Sequence, residues 1–366
     1  MIASRKSRLA RIQAERVAAA LRKQHPTIEV LHHWVESEGD QRSAGLLANV
    51  GGKGLFTNAV DRAVKNKLAH LAVHSLKDLP VSRDEAVPGM KLAAVPKRAA
   101  AADCLISRER YTRLKDLPPG ALLGTSSPRR AAQVRRERPD MRVAVLRGNV
   151  DTRLNRVLAA SAGAGGQPFD ATILAAAGLH RMGLAEHAER PLGLDTVLPA
   201  AGQGALALCC LAVDHVTLQR CLPLNSSRTA TAVHAEREVV GRLGADCYSP
   251  IAVLAEQLPP AQTVAERNAD AHWFRLRVRV LSPDGQTCLD ADERCKTGDL
   301  RRLVKAVTDD LRARGAVELL AQAAASPIPE VPAAAPDAPT PDAAGRPSVA
   351  RPASRPPAPA TRPLRG

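Results

Sequence analysis

The sequence predicts an α/β protein with parallel or mixed sheets, followed by a small α+β domain and a disordered tail. Helical and strand patterns alternate as far as about residue 211, which is typical of α/β folds. After Asn225 a helical pattern precedes a strand pattern of period two, as in α+β units. From Pro327 to Gly366 the chain holds twelve of its 28 prolines and too few apolar residues to offset its ordering entropy.

The α/β part can be followed element by element. Ser7 to Gln24 has the spacing of an amphipathic helix, and Leu71 to Val73 is an apolar run typical of a short buried strand. Leu122 and Leu123 are expected to end a strand, with Ser126 or Ser127 capping a helix from Arg129 to Arg138. The alternation continues with strands at 142–146 and 171–174, a helix at 149–160 and an apolar run at 205–211.

The α+β part is shorter and more regular. A helix is predicted at 230–243, followed by a strand at 271–282 and a turn at Pro283, Asp284 and Gly285. A second short strand near Cys288 and a final helix at 299–323 complete the unit.

The charge balance predicts an anionic partner. Lys and Arg number 52 against 37 Asp and Glu, a net charge of +15, and the tail contributes only five Arg against three acids. Nucleic acid and a polyanionic small molecule are both open at this point. Seven aromatic residues among 366 predict an aliphatic core and make a poor stacking platform for single strands, which favours the small molecule.

The cysteines and the apolar segments predict a cytoplasmic protein with no membrane span. Seven cysteines without a CxxC pair argue against a disulfide framework and a zinc ribbon. The first residues contain no apolar signal region, and no stretch approaches eighteen uncharged apolar residues.

The segment from Gly124 to Arg130 predicts an anion site. A capped helix start offers free backbone N–H groups, and here hydroxyls and guanidiniums join them: Thr125, Ser126, Ser127, Arg129 and Arg130. The alternative is a capped surface helix with solvated arginines.

Further cations follow other predicted strand ends. Arg147 precedes the next helix, and Arg153 lies one turn into it; Arg5, Lys53 and Arg181 also lie near strand or loop ends. Ligands of open α/β sheets bind at the carboxyl ends of strands, so these cations could converge on one cleft. Ordinary surface charge explains any one of them, but explains the whole set less well.

A polar cluster of His74, Ser75, Lys77 and Asp78 lies where the strand at Leu71 to Val73 ends. The Asp78 carboxylate could balance a cationic intermediate or move protons, or it could form a structural salt bridge with Lys77 or an arginine. His70 and His74 are four residues apart but lack the motif of a metal site. Cys247 lies between a helix and a strand, where most cysteines are inert.

Taken in order, these segments resemble one family, the porphobilinogen deaminases, also called hydroxymethylbilane synthases. The matching pieces span residues 3 to 252 and include ASRKSRLARIQAE, VGGKGLFTNAV, LAVHSLKDLP, LLGTSSPRRAAQVRRERPD, RGNVDTRLNRV, LPAAGQGALAL and HAEREVVGRLGADCYSPIA.

The resemblance implies a three-domain transferase with a disordered tail. Domain 1 would comprise residues 1–94 and 193–222, domain 2 residues 95–192, the cofactor-attachment domain residues 223–325 and the tail residues 326–366. The first two would be similar to type II periplasmic binding proteins. The family condenses four porphobilinogen molecules into hydroxymethylbilane, releasing four ammonia, in porphyrin and heme biosynthesis. We expect a monomer in the cytoplasm that uses no metal and binds neither nucleic acid nor membrane.

The family match also assigns roles to residues. Asp78 would be the catalytic aspartate, stabilising the cationic azafulvene that forms as ammonia leaves. A dipyrromethane cofactor would be attached by a thioether to Cys247 and held by Ser75, Lys77, Thr125, Ser126, Ser127, Arg129 and Arg130. The substrate would be bound by Arg5, Ser7, Lys53, Arg147, Arg153 and Arg181.

Several positions depart from the family pattern, among them Asn49, His70, Arg8 and the Ala99 to Ala102 stretch. Ala245 and Asp246 replace two glycines before the cofactor cysteine, and side chains there would strain the loop if it needs positive φ angles. The alternative function is therefore a diverged, non-catalytic paralogue that binds carboxylate ligands. Nucleic-acid binding ranks third.

Overall fold

Three β-sheets organise the part of the chain that the structure, a computed structural model, describes. That part comprises residues 1–36, 57–81, 86–158, 169–258 and 273–330. Residues 1–331 form one compact unit. Lys53, Asn49 and most of the predicted tail lie outside the described residues, so the predictions made for them stay predictions.

The first sheet has the strand order β2-β1-β3-β9-β4. Its strands are β1 (Ile2–Arg5), β2 (His32–Val35), β3 (Leu71–Ser75), β4 (Met90–Ala94) and β9 (Leu206–Leu211). β1 is parallel to β2 and β3, whereas β9 is antiparallel to β3 and β4. Helices α1 (Arg8–Gln24) and α2 (Asn58–Lys65) pack on opposite faces of this sheet, in separate apolar clusters.

The second sheet has the strand order β5-β8-β6-β7. Its strands are β5 (Asp103–Ser107), β6 (Leu122–Gly124), β7 (Arg142–Ala144) and β8 (Ala171–Ala175). β6 is parallel to β7 and β8, and β5 is antiparallel to β8. Helix α3 (Pro128–Glu137) covers one face; α4 (Val150–Leu158) and α5 (Ala176–Arg181) cover the other. A further helix, α6 (His215–Cys221), follows β9 in the chain.

The third sheet is an antiparallel ribbon with the order β10-β11-β12. It is formed by β10 (Ile251–Gln257), β11 (Trp273–Leu281) and β12 (Cys288–Lys296) and is covered by α7 (Ser227–Arg242), α8 (Leu300–Ala313) and α9 (Ala316–Ala325). Alternate residues of β11, from Phe274 to Val280, are buried beneath these helices. The arginines between them form ion pairs on the other face, such as Arg279 with Asp290.

The predicted α/β fold class with a smaller α+β unit is confirmed, but two elements differ. β12 is nine residues long and not a short strand, because it pairs with β11 along its whole length. The predicted final helix is two helices, because Gly315 between them has a φ of +88°, which no helical residue adopts. The domain boundaries stay a prediction, although each predicted domain contains one of the three sheets.

Two chain segments connect the first and second sheets, and they contact each other. Gly204 has a φ of +86°, and a Cβ there would lie 2.6 Å from the Ala99 carbonyl oxygen, so only glycine fits. Arg98 Nη1 lies 2.6 Å from Glu236 Oε1 of α7, and Arg98 Nε donates to the Gln203 carbonyl at 2.7 Å. Arg98 of the first connection therefore contacts both the second connection, at Gln203, and helix α7 of the third sheet, at Glu236.

No helix within the described ranges is long and apolar enough to cross a bilayer.

Candidate active site

The strand β3 ends in a 3-10 turn, Leu76–Asp78, that places two charged side chains. Leu76 is fully buried and anchors the turn, whereas Lys77 is half-buried and Asp78 is exposed. Ser75 Oγ accepts a hydrogen bond from Gln13 Nε2 at 3.1 Å, so α1 holds this hydroxyl.

His74 does not belong to the cluster predicted around it. It is buried, and its Nε2 lies 2.8 Å from Asp61 Oδ1 of α2. Successive strand residues point to opposite faces, so His74 points to α2 and Ser75 points to α1. The polar residues that adjoin one another in the sequence therefore divide between the two faces of the sheet.

Helix α3 begins as its sequence predicts. Ser127 is the cap, its Oγ accepting from the Arg130 N–H at 3.4 Å, and Pro128 is the first helical residue. Thr125 Oγ1 accepts from the Ser127 N–H at 3.2 Å. Two of the three predicted hydroxyls thus stabilise the helix start itself.

Arg129 and Arg130 are buried and share one carboxylate. Arg129 Nη1 lies 2.9 Å from Asp103 Oδ2, and Arg130 Nη2 lies 2.6 Å from Asp103 Oδ1. Burial would raise the pKa of Asp103, but the two guanidiniums outweigh it and hold that pKa well below its usual range. The alternative of solvated surface arginines is wrong, because both side chains are buried.

Lys77 and Arg153 extend this positive cluster. Burial is the main cause that lowers the pKa of Lys77 to about 8, with Arg130 and Arg129 adding to the effect. Burial, then Arg130, lowers the pKa of Arg153 to about 10. Arg153 Nη2 donates to Ser126 Oγ at 3.3 Å, which joins α4 to the loop before α3. These residues form what we call the cationic cluster: Lys77, Arg129, Arg130 and Arg153.

Asp78 lies beside the cationic cluster without being neutralised by it. Its charge acts on Lys77, Arg153 and Tyr248, which come from three different parts of the fold. Its carboxylate forms no ion pair with any other residue in the described part of the chain. The predicted alternative of a structural salt bridge with Lys77 or a nearby arginine therefore does not hold within that part.

Cys247 is exposed, in a turn between α7 and β10. The positive φ of this loop, +67°, is at Gly244, and neither Ala245 nor Asp246 has a positive φ. The expected strain at Ala245 and Asp246 is therefore absent. The neighbouring Tyr248 is half exposed, and burial, then Cys247 and Asp246, raise the pKa of its hydroxyl.

The remaining predicted residues are more scattered. Arg147 Nη2 lies 3.1 Å from Glu330 Oε1, and Arg181 Nη2 donates to the Gly204 carbonyl at 2.7 Å. Ser7 caps α1, with its Oγ 3.4 Å from the Ala10 nitrogen, and Arg5 ends β1. Arg147 also acts electrostatically on Tyr248, beside Cys247.

Sequence reasoning missed Asp103, Gln203 and Tyr248. Gln203 Nε2 donates to Asp103 Oδ1 at 3.0 Å, so a residue of the second connection completes the arginine–aspartate group. Asp103 follows a run of alanines and carries no local signal, whereas Gln203 lies in the glycine pair that the resemblance already marked. In the described part of the chain, no group of three or more His, Cys, Asp or Glu is placed to hold a metal ion.

Comparison with solved structures gives only weak likeness. A lipoprotein of the YaeC family from Enterococcus faecalis aligns with a TM-score of 0.36 at 13% identity, over 63% of this chain and 92% of that chain.

Comparison with sequence families and curated proteins gives a strong match. Residues 1–219 match the family model described as "Porphobilinogen deaminase, dipyromethane cofactor binding domain". A porphobilinogen deaminase of Ralstonia nicotianae is 42% identical over 292 residues, 80% of this chain and 81% of the relative. That of Thiobacillus denitrificans is 39% identical, over 87% of this chain and 97% of the relative. With this match over most of its length, the chain belongs to the porphobilinogen deaminase family.

Proposed function

We propose that this protein is a hydroxymethylbilane synthase, a transferase of tetrapyrrole biosynthesis. It condenses four porphobilinogen molecules with one water into hydroxymethylbilane and releases four ammonia. One observation carries the proposal beyond family membership: the charge of Asp78 acts on Lys77 and Arg153 of the cationic cluster and on Tyr248 of the Cys247 turn, although these groups come from different parts of the fold.

The residues present fit the family's dipyrromethane cofactor. Arg130 Nε is buried and has no hydrogen-bond partner among the described residues, so one donor of the cationic cluster is available to a ligand. Asp103 faces Arg129, Arg130 and Lys77, and Asp78 acts on Lys77 and Arg153, so these two carboxylates face four cations and the cluster keeps a positive excess. When bound, the dipyrromethane supplies the pyrrole end to which substrate units are added.

We assign the attachment point to Cys247. Of the seven cysteines it is the exposed one; five are buried, and Cys288 is half-buried with its thiol 3.0 Å from Arg136 Nη1. Burial raises the pKa of Cys209, Cys210 and Cys221 above the ordinary value, which keeps those thiols protonated and unreactive. Nearness of the Cys247 turn to Asp78 and Arg147 supports the same choice.

The cationic cluster binds the carboxylates of the cofactor and of the growing chain. Each pyrrole unit brings an acetate and a propionate, and guanidiniums bind carboxylates in a forked geometry. We assign Lys77, Arg130 and Arg153 to direct carboxylate contact. Arg129 is committed to Asp103 and to the Leu198 carbonyl, 2.7 Å from its Nη1, so it acts by holding the cluster together.

Asp78 performs the electrostatic part of catalysis. An exposed carboxylate at the mouth of a positive site can accept hydrogen bonds from pyrrole N–H groups and stabilise the positive charge that develops as ammonia leaves. The surrounding cations disfavour a positive charge on the substrate. That charge is therefore stabilised only close to the Asp78 carboxylate.

The proposal also covers the domain boundaries, the oligomeric state and the cellular compartment. We propose that residues 1–94 with 193–222, 95–192 and 223–325 are the three domains, since each contains one sheet. We further propose that the protein acts as a monomer in the cytoplasm on a small substrate, without nucleic acid or membrane. Seven cysteines that form no disulfide support a reducing compartment.

The experiment that tests the proposal measures product and ammonia together. Purified full-length protein is incubated with porphobilinogen, and hydroxymethylbilane and ammonia are quantified. The proposal predicts one hydroxymethylbilane for every four ammonia. Binding of porphobilinogen without release of ammonia would instead indicate the non-catalytic paralogue.

A further inference from the structure

The turn that carries Cys247 is closed by reciprocal hydrogen bonds between Asp246 and Ser249. Asp246 Oδ1 accepts from Ser249 Oγ and from the Tyr248 N–H, each at 2.9 Å. In return, Ser249 Oγ accepts from the Asp246 N–H at 3.0 Å, and the Ser249 N–H donates to the Asp246 carbonyl at 3.2 Å. Cys247 and Tyr248 are left as the two exposed central residues.

Both ends of this turn are fixed in the fold. On one side the Ala245 N–H donates to the Val240 carbonyl of α7 at 3.0 Å, and Ala245 is buried. On the other side Pro250 is buried and Ile251 begins β10. The turn from Asp246 to Ser249 therefore lies between two fixed points of the fold. The hydrogen bonds of the Asp246 carboxylate within this turn set the orientation of the Cys247 side chain.

The negative charge of Asp246 does not make Cys247 a better nucleophile. A carboxylate beside a thiol favours the protonated thiol, which is the weaker nucleophile. Two hydrogen bonds accepted by one carboxylate oxygen, in contrast, hold the turn in one conformation. Asp246 therefore favours cofactor attachment by fixing the conformation of the turn, whereas its negative charge lowers the reactivity of the Cys247 thiol.

We propose that Asp246 is a positioning residue whose carboxylate oxygen holds the turn that presents Cys247 for cofactor attachment. This inference rests on the proposed function, because it takes Cys247 as the attachment point. It also explains how a side chain can stand before the cysteine: the turn is held by the side chain's own acceptor and needs no positive φ there.

The test follows cofactor loading and not turnover. The full chain is produced in cells that make no porphobilinogen, so that Cys247 starts unmodified; porphobilinogen is then added, and the covalent adduct is followed by intact-mass spectrometry. Asp246→Ala and Ser249→Ala each remove bonds of the turn and should load about fivefold more slowly, the equivalent of roughly one net hydrogen bond. Asp246→Asn keeps an acceptor oxygen without the charge and should load at least as fast as wild type.

The controls separate the possible outcomes. Glu189→Ala, an exposed acid outside the turn, should load like wild type. Wild-type loading in Asp246→Ala, or equal slowing in Asp246→Asn and Asp246→Ala, would overturn the positioning role. If Asp246→Ala does not fold, Ser249→Ala with Asp246→Asn decides the question in the same way. Wild-type protein that forms no adduct would contradict the proposed function and not this inference alone.

Discussion

Asp103 Oδ1 lies 2.6 Å from Arg130 Nη2 in the interior of the protein, and the same carboxylate also pairs with Arg129. One anion thus holds two guanidiniums, and all three charges act on Lys77. This arrangement keeps the arginines in place and still leaves positive charge for a ligand, because the cations outnumber the anion.

Replacement of Asp103 tests this arrangement through stability. Asp103→Asn leaves two buried guanidiniums without a counter-charge, and we expect the free energy of unfolding to fall by about 3–5 kcal/mol. Urea unfolding followed by circular dichroism measures the change. Asp116→Asn breaks the exposed Arg113–Asp116 pair and is the matched control, expected to have no measurable effect. A similar small change in both variants would contradict the structural role of Asp103.

The lowered pKa of Lys77 predicts that substrate binding depends on pH. Its pKa is lowered to about 8, so its charge is lost as pH rises through that value, and the KM for carboxylate-bearing porphobilinogen should rise. Lys77→Arg keeps a charge that does not titrate in this range and should abolish that rise. Steady-state kinetics from pH 7 to 9 measure both profiles. An identical rise in wild type and Lys77→Arg would assign the titration to another group.

The same lowered pKa predicts the sign of a stability change. Between pH 8 and the usual lysine value of 10.5, the unfolded chain binds this proton and the folded chain does not. The Lys77 contribution to the free energy of unfolding should therefore increase with pH in that window. Urea unfolding of wild type and Lys77→Met across the window isolates the contribution: the free energy of unfolding of wild type minus that of Lys77→Met should rise with pH, and a fall in that quantity would contradict the prediction.

Asp78 is predicted to matter for turnover far more than for binding. Asp78→Ala should fold, load the cofactor and keep a KM close to that of wild type, while kcat falls on the order of 100-fold, because an exposed carboxylate aimed at developing charge acts in the transition state. Initial rates over a range of porphobilinogen concentrations give both constants. Wild-type kcat in the variant would remove Asp78 from catalysis.

Glu330 is predicted to compete with the substrate for Arg147. Its carboxylate lies 3.1 Å from Arg147 Nη2, and the segment is held there by a 2.9 Å bond from the Val145 N–H to the Pro329 carbonyl. Because the pair is partly exposed, Glu330→Gln should lower KM only about twofold and leave kcat unchanged. Glu318→Gln, an exposed acid on α9, serves as the control. A raised KM in Glu330→Gln would show that Glu330 supports Arg147 and does not compete for it.

The parts of the fold and site that depend on local sequence could be predicted. The Ser127 cap and Pro128 predict the start of α3 because capping involves residues three positions apart. The turn after β3 follows from the end of an apolar run, and it places Lys77 and Asp78 together.

The parts that depend on distant partners could not be predicted. Asp103 meets Arg129 and Arg130 only because β5 and β6 both pair with β8, and no residue beside Asp103 indicates that pairing. His74 adjoins Ser75, Lys77 and Asp78 in the sequence, but its partner Asp61 lies on helix α2, which packs against the strand from a distant part of the chain. Strain at Ala245 and Asp246 depended on a need for positive φ angles there, and that condition is not met, because the positive φ falls on Gly244.

Intact-mass spectrometry of the purified full-length protein tests the central claim most directly. We predict a species heavier by one covalent dipyrrole, absent in Cys247→Ser and retained in Cys288→Ser, the half-buried control. An unmodified wild-type mass, or an adduct that persists in Cys247→Ser, would contradict it.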